Sequence, residues 1–235
     1  MVSNDITSKI LQYIKFMKAH YKKKDSNEEI THTLLGPLAE GFNGCEGRGA
    51  FHITGLDYDV FLKLYKEIYQ DINLHIVERL DKKVGPLLID IDLHFVKKHS
   101  DRQYLDENIE YLVKKFNNAL KKYLDIDKED IKAYVSEKSE PTYDDKRSIY
   151  KDGWHIVYPD IPMDTTTRSF IFDKVKQEVI DEDGFKDIPY INDYKEIFDG
   201  SVLSSNGFLM YGSSKEGREP YDVTKIYNYW EIGII

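Results

Sequence analysis

Apolar positions recur at helical spacing in several stretches of the chain. Ile6, Ile10, Ile14, Met17 and Tyr21 share one helical face, so the spacing predicts an N-terminal helix that Ser3 or Asp5 could cap. Val60, Phe61, Leu64 and Ile68 predict a second helix over 57–70. Ile109, Leu112, Val113, Phe116, Leu120 and Tyr123 predict a third over 106–124, and residues 165–180 read as a fourth. Strands are expected at 50–54, 84–95, 131–137, 153–158, 208–211 and 221–229. In the fourth of these, Trp154, Ile156 and Tyr158 alternate with Gly153, His155 and Val157, which puts His155 on the face opposite the tryptophan. Residues 22–29 read as a polar linker, 36–49 as a loop rich in glycine, and 140–152 as a charged, turn-rich loop. Strands and helices intermingle without regular alternation, which argues for an α+β fold with a mixed or antiparallel sheet.

The run Leu87-Leu88-Ile89-Asp90-Ile91-Asp92-Leu93 is the most informative stretch. Its length and isoleucine content favour a buried strand, and only two aspartates interrupt it. Residues two apart on a strand face the same way, so Asp90 and Asp92 project side by side, roughly 7 Å apart at their α-carbons. Two carboxylates in such a strand are costly without compensation, and a divalent cation with a preference for oxygen, Mg²⁺ or Mn²⁺, supplies it. The pair alone suits polymerases, glycosyltransferases and phosphatases equally. A phosphatase with an aspartate nucleophile would want Thr or Val two positions after the second acid, and His94 stands there.

Composition narrows the field. The chain has 235 residues, 41% hydrophobic and 32% charged, enough for a sizeable core. No run approaches the length of a membrane span, and lysines interrupt the first apolar segment, against a signal peptide. The lone cysteine, Cys45, supports neither a disulfide framework nor a zinc module and points to a reducing, intracellular setting. Net charge is −9, unlike a protein that lives on non-specific duplex binding, so any nucleic acid must be handled at a local site. The apolar end, Trp230 to Ile235, hints at a longer protein.

Two further segments carry candidate chemistry. His155 sits in Gly153-Trp154-His155-Ile156-Val157-Tyr158, where a structural histidine is the alternative. After Asp199 comes Phe208-Leu209-Met210-Tyr211-Gly212-Ser213-Ser214-Lys215. Its glycine, hydroxyls and ammonium suit a triphosphate, although the spacing is not that of a P-loop and a solvated turn is the alternative.

In that order, Leu88-Ile89-Asp90-Ile91-Asp92, Gly153-Trp154-His155, Asp199 and Met210-Tyr211-Gly212-Ser213-Ser214-Lys215 resemble the archaeo-eukaryotic primase superfamily. The resemblance is to the N-terminal primase domain of the primase-helicases of nucleocytoplasmic large DNA viruses. Thr31-His32-Thr33 and Gly49-Ala50-Phe51-His52-Ile53 resemble that domain's opening. The resemblance runs from about residue 31 to the end, leaving 1–30 as a helix and linker ahead of a catalytic domain over 31–235. It departs from the wider family in having Gly153 where serine is common, and in lacking Arg or Trp near Phe208.

The resemblance implies a smaller N-terminal α/β subdomain and a C-terminal one like an RNA-recognition fold. It implies templated nucleotidyl transfer, with Asp90, Asp92 and Asp199 holding two Mg²⁺ or Mn²⁺ ions and His155, Ser213, Ser214 and Lys215 contacting the nucleotide. The partners it implies are single-stranded DNA, an NTP or dNTP, and a helicase region of the same polypeptide, in host cytoplasm, virus factory or nucleus. A module of the same fold that only grips single-stranded DNA or recruits a helicase is the alternative, and a glycosyltransferase a more distant one.

Overall fold

A computed structural model describes residues 4–22, 27–42, 49–80, 83–99, 101–203, 207–229 and 232–234. Ser3, Cys45, Trp230, Glu231 and Ile235 lie outside these, as do the middles of the expected linker and glycine-rich loop. In chain order the elements are α1 (Asn4–Ala19), β1 (His32–Leu34), β2 (Ala50–Phe51), α2 (Leu56–Lys66), β3 (Ile76–Glu78), β4 (Gly85–Phe95), α3 (Asp106–Tyr123), β5 (Lys132–Glu137), β6 (Thr142–Asp144), β7 (Ile149–Met163), α4 (Thr165–Asp181), α5 (Tyr194–Ile197), β8 (Phe208–Leu209), β9 (Asp222–Asn228) and β10 (Ile232–Ile234). No described helix is long and apolar enough to cross a membrane.

The chain forms two compact units. The first comprises Met1–Leu80 and Gly207–Tyr221. Its antiparallel sheet runs β2-β1-β3-β8. The buried stripe of α1, Ile10, Tyr13, Ile14 and Met17, shares one core with Phe61 and Tyr65 of α2 and with Leu34, Phe51 and Ile76 of the strands. The N-terminal helix is therefore part of this core. Chain from far downstream closes the sheet: β8 pairs with β3, then the backbone turns so that Ser213 N donates to Met210 O. Gly212 takes φ +79° in that turn, where a side chain would meet the Tyr69 ring.

The second unit comprises Asp81–Asn206 and Asp222–Ile235. Its sheet runs β10-β9-β5-β7-β4, antiparallel throughout, with β6 pairing onto β7. On β4, Leu87, Ile89, Ile91 and Leu93 are fully buried, and on β7 so are Trp154, Ile156 and Tyr158. Helices α3 and α4 cover this face through Leu112, Phe116 and Leu120 and through Ile171, Phe172 and Val175. Asp164 caps α4, its side chain accepting from Thr167 N. Beyond α4 the chain returns along the outer edge of β4 and bridges to it at Ile91 and Phe198. Counting that bridge as a minimal strand, β4-α3-β5-β7-α4-bridge is the β-α-β-β-α-β order of an RNA-recognition or ferredoxin-like fold, laid out as bridge-β4-β7-β5.

Several boundaries differ from the sequence reading, among them that of the strand expected at 153–158, which runs over Ile149–Met163 as β7. Within residues 140–152 only 145–148 form an exposed turn; the rest hold β6 and the start of β7. The helix expected to reach residue 70 ends at Lys66 in α2. The strands expected at 50–54 and 208–211 shrink to two residues each, because each pairs with a short partner.

Candidate active site

The face of the second unit's sheet opposite α3 and α4 carries the acids. Asp90 and Asp92 alternate with the buried residues of β4 and stay partly exposed, at 24% and 32% of their side chains. The antiparallel register sets Asp90 beside His155 and Asp92 beside Gly153 on β7. His155 Nε2 lies 3.3 Å from Asp90 Oδ1, with Trp154 turned into the core, as the alternation required. Ser136 of β5 is the next residue across from His155.

Asp92 Oδ2 pairs with the Lys151 ammonium and lies 3.2 Å from His94 Nε2. Burial alone would push the Asp92 carboxyl up. The His94 contact and the Lys151 charge outweigh it and hold Asp92 below its ordinary range.

Asp199 is 109 positions downstream of Asp90 in the sequence, yet its backbone N donates to Asp90 O at 3.2 Å. The chain path along the β4 edge thus delivers the third acid to the first. As they stand, the Asp199 Oδ1 accepts from Ser201 N, and among the described residues no three Asp, Glu, His or Cys side chains are gathered tightly enough to ligate one ion. The donor chemistry still fits a hard divalent cation, because all three groups are carboxylates.

Gly153 is forced by packing. Its φ is +152°, and a Cβ there would fall 1.8 Å from Ile91 O. Serine at this position, common in the wider family, would force β4 and β7 apart. Behind Gly153 a buried charged cluster fixes the start of β7. Arg102 binds Asp152 through Nε at 3.1 Å and Glu137 through a terminal nitrogen at 2.8 Å, and Lys225 Nζ donates to Glu137 at 2.7 Å. Tyr104 Oη lies 3.0 Å from both Gly153 O and Glu137 Oε1. Burial would raise Glu137, but its bonds from Lys225 and Thr224 win and lower it. For Asp152 burial prevails over Arg102 and raises it.

Ser213, Ser214 and Lys215 belong to the first unit. Both serines are buried, at 1% and 3% exposure. The Ser213 hydroxyl lies 2.9 Å from Tyr65 Oη and accepts from Ile76 N, and Ser214 O is bonded to His75 Nδ1. Lys215 is exposed. Sequence reasoning passed over Lys151, His94 and Asn192. Lys151 stands four residues before His155, a same-face spacing visible once the strand is extended upstream.

Residues 43–227 match the family model described as the C962R protein N-terminal AEP domain, AEP denoting archaeo-eukaryotic primase. The chain is 33% identical over 216 residues to "Putative helicase L207/L206" of Acanthamoeba polyphaga mimivirus, covering 90% of this chain and 21% of that protein. It is 29% identical over 235 residues to "Putative helicase 184R" of Invertebrate iridescent virus 6, covering 90% of this chain and 23% of that protein. The chain thus spans about a fifth of the length of these relatives.

Proposed function

The chain belongs to the AEP domain family, that of archaeo-eukaryotic primases, and from that premise we propose that it is a DNA-templated primase-polymerase domain acting in viral DNA replication. The observation that carries this reading is the convergence on one sheet edge: Asp90 and Asp92 side by side, with the Asp199 backbone bonded to Asp90. Asp90, Asp92 and Asp199 would hold two Mg²⁺ or Mn²⁺ ions. When bound, such ions lower the pKa of an attacking 3′-hydroxyl and neutralise charge on the triphosphate and the departing pyrophosphate.

The protein's own groups do the positioning. Lys151 holds Asp92 ionised before substrate arrives and, released from it, supplies an ammonium for the triphosphate. His155, fixed beside Asp90, offers an imidazole N–H to the same phosphates. The resemblance assigns Ser213, Ser214 and Lys215 to the nucleotide as well. The Ser213 hydroxyl is engaged within its own unit, so the exposed Lys215 is the group of the three best suited to a phosphate. Single-stranded DNA is the template and an NTP or dNTP the substrate. The names of the relatives support a helicase region in a longer protein, and the lone cysteine accords with a reducing compartment such as host cytoplasm or a virus factory.

One observation favours a second reading. Asp92 is already compensated by Lys151 and His94, as it would be in a catalytically weak module that grips single-stranded DNA or recruits a helicase. Incorporation of labelled nucleotides on a single-stranded template, with and without a primer and with both sugar types, separates the two. Metal-dependent incorporation that Asp90→Asn and Asp92→Asn abolish supports the enzyme; template binding without incorporation supports the module.

A further inference from the structure

Among the described residues β4 is the last full strand of its sheet, so its outer backbone groups need partners other than a full neighbouring strand. They find them one by one. Asp199 N donates to Asp90 O, and Ile191 N donates to His94 O at 2.9 Å. Between these anchors the returning chain leaves the edge to form α5. The gap is closed by a side chain: Asn192 Nδ2 donates to Asp92 O at 2.8 Å, while Asn192 Oδ1 accepts from His94 N at 2.9 Å. A carboxamide offers the same donor and acceptor pair as a peptide group, and this one stands where the peptide of a neighbouring strand would be. Asn192 is 7% exposed and His94 4%, so neither bond is readily taken over by water.

We propose that Asn192 is a positioning residue of the acidic site. It clamps the backbone on both sides of Leu93, and so fixes Asp92 and the His94 ring whose Nε2 lies 3.2 Å from the Asp92 carboxylate. Together with the Ile191 N–His94 O bond it also ties the returning chain to β4 seven residues before Asp199, and so contributes to the register of the third acid against the first two. Neighbours that orient a metal-bearing carboxylate contribute typically about 10–100-fold in metal affinity or activity. The proposal rests on the reading of Asp90 and Asp92 as metal-bearing.

The test is Mn²⁺ affinity of the whole chain without nucleotide, read by loss of the free-ion paramagnetic resonance signal. Four variants are compared with the native chain: Asn192→Ala, Asn192→Leu, which keeps the number and branching of heavy atoms, Asp92→Asn, and Asn117→Ala. Asn117 is also buried and asparagine, but it accepts from Tyr158 Oη on the helix-covered face. The expected result is a dissociation constant raised about tenfold in both Asn192 variants, raised in Asp92→Asn, and unchanged in Asn117→Ala. If Asp92→Asn weakens Mn²⁺ and folded Asn192 variants do not, the clamp is refuted and the metal reading stands. Equal weakening in Asn117→Ala refutes it too, because loss of a buried amide anywhere would then suffice. If Asp92→Asn leaves Mn²⁺ binding intact, the metal reading falls and the clamp's role with it. Should neither Asn192 variant fold, hydrogen exchange in the native chain decides: slow exchange of the His94 amide together with the Asn192 side-chain amide supports the clamp, and fast exchange of either refutes it.

Discussion

Replacing Gly153 with alanine tests the packing of β7 against β4 at the point where the site is assembled. The added methyl would sit 1.8 Å from Ile91 O and 2.9 Å from Ile91 C, both backbone atoms of the facing strand. Reaching ordinary contact needs a retreat of roughly 1.6 Å, and a strand cannot yield like the tip of a flexible side chain. A backbone held at φ +152° costs a residue with a Cβ about 1–3 kcal/mol, and forcing extra volume between packed elements costs about 1–3 kcal/mol more. Stiffening of the unfolded chain by alanine returns somewhat under 1 kcal/mol. The expected net loss is about 3 kcal/mol. In urea, with a slope of about 2–3 kcal/mol per molar for this size, the midpoint falls by about 1 M. Gly217 is the control: its φ is +68°, but nothing lies within 4 Å of a Cβ there. Gly217→Ala should cost only its backbone strain, about 1 kcal/mol. Equal losses in the two variants would show that β4 and β7 are not in the contact described, and the register that pairs Asp92 with Gly153 would lose its support.

Three further outcomes are expected. Arg102→Leu strips the counter-charge from buried Asp152 and Glu137 and should cost about 3 kcal/mol in chemical denaturation; a loss under about 0.5 kcal/mol would mean the cluster is not rigidly formed. Lys151→Met frees Asp92 of its competing cation, so Mn²⁺ should bind about fivefold more tightly, the worth of a partly exposed ion pair, while the nucleotide KM rises. Burial lowers His32 to about 4 from its ordinary 6.5, so the unfolded chain takes up a proton there that the folded chain refuses. Stability from this group is full above pH 6.5 and falls toward pH 4, by up to about 3 kcal/mol. His32→Gln should flatten that stretch of a stability-against-pH curve, and an unchanged slope would show His32 to be protonated in place.

The second unit was the more legible in sequence because its elements are long. Eleven residues of β4 and eighteen of α3 repeat their apolar period often enough to be read, and the boundaries agree to within a residue or two. The first unit was harder: β1, β2, β3 and β8 have two or three residues each, too few to display a period, and β8 joins them from far downstream. Residues 140–152 misled for a different reason. Asp145, Lys146 and Arg147 do form an exposed turn, yet Asp152, read as part of the same loop, is inside because Arg102 reaches it from another part of the chain. A strand that buries charge against a distant partner gives no local sign of being a strand. The same holds for the site. The Asp90 and Asp92 pair declares itself through strand alternation, and His155 through its own. Lys151 was hidden by the misread loop, and Asn192 by having no motif around it: its role comes from the exposed edge of β4, which only the assembled sheet defines.

The most direct measurement is nucleotide incorporation on a single-stranded DNA template in Mg²⁺ or Mn²⁺, comparing the native chain with Asp90→Asn, Asp92→Asn and Asp199→Asn. The expected result is template-dependent product from the native chain and none from each folded variant. Product formed equally well by any of the three folded variants would contradict the assignment of these acids to the chemistry.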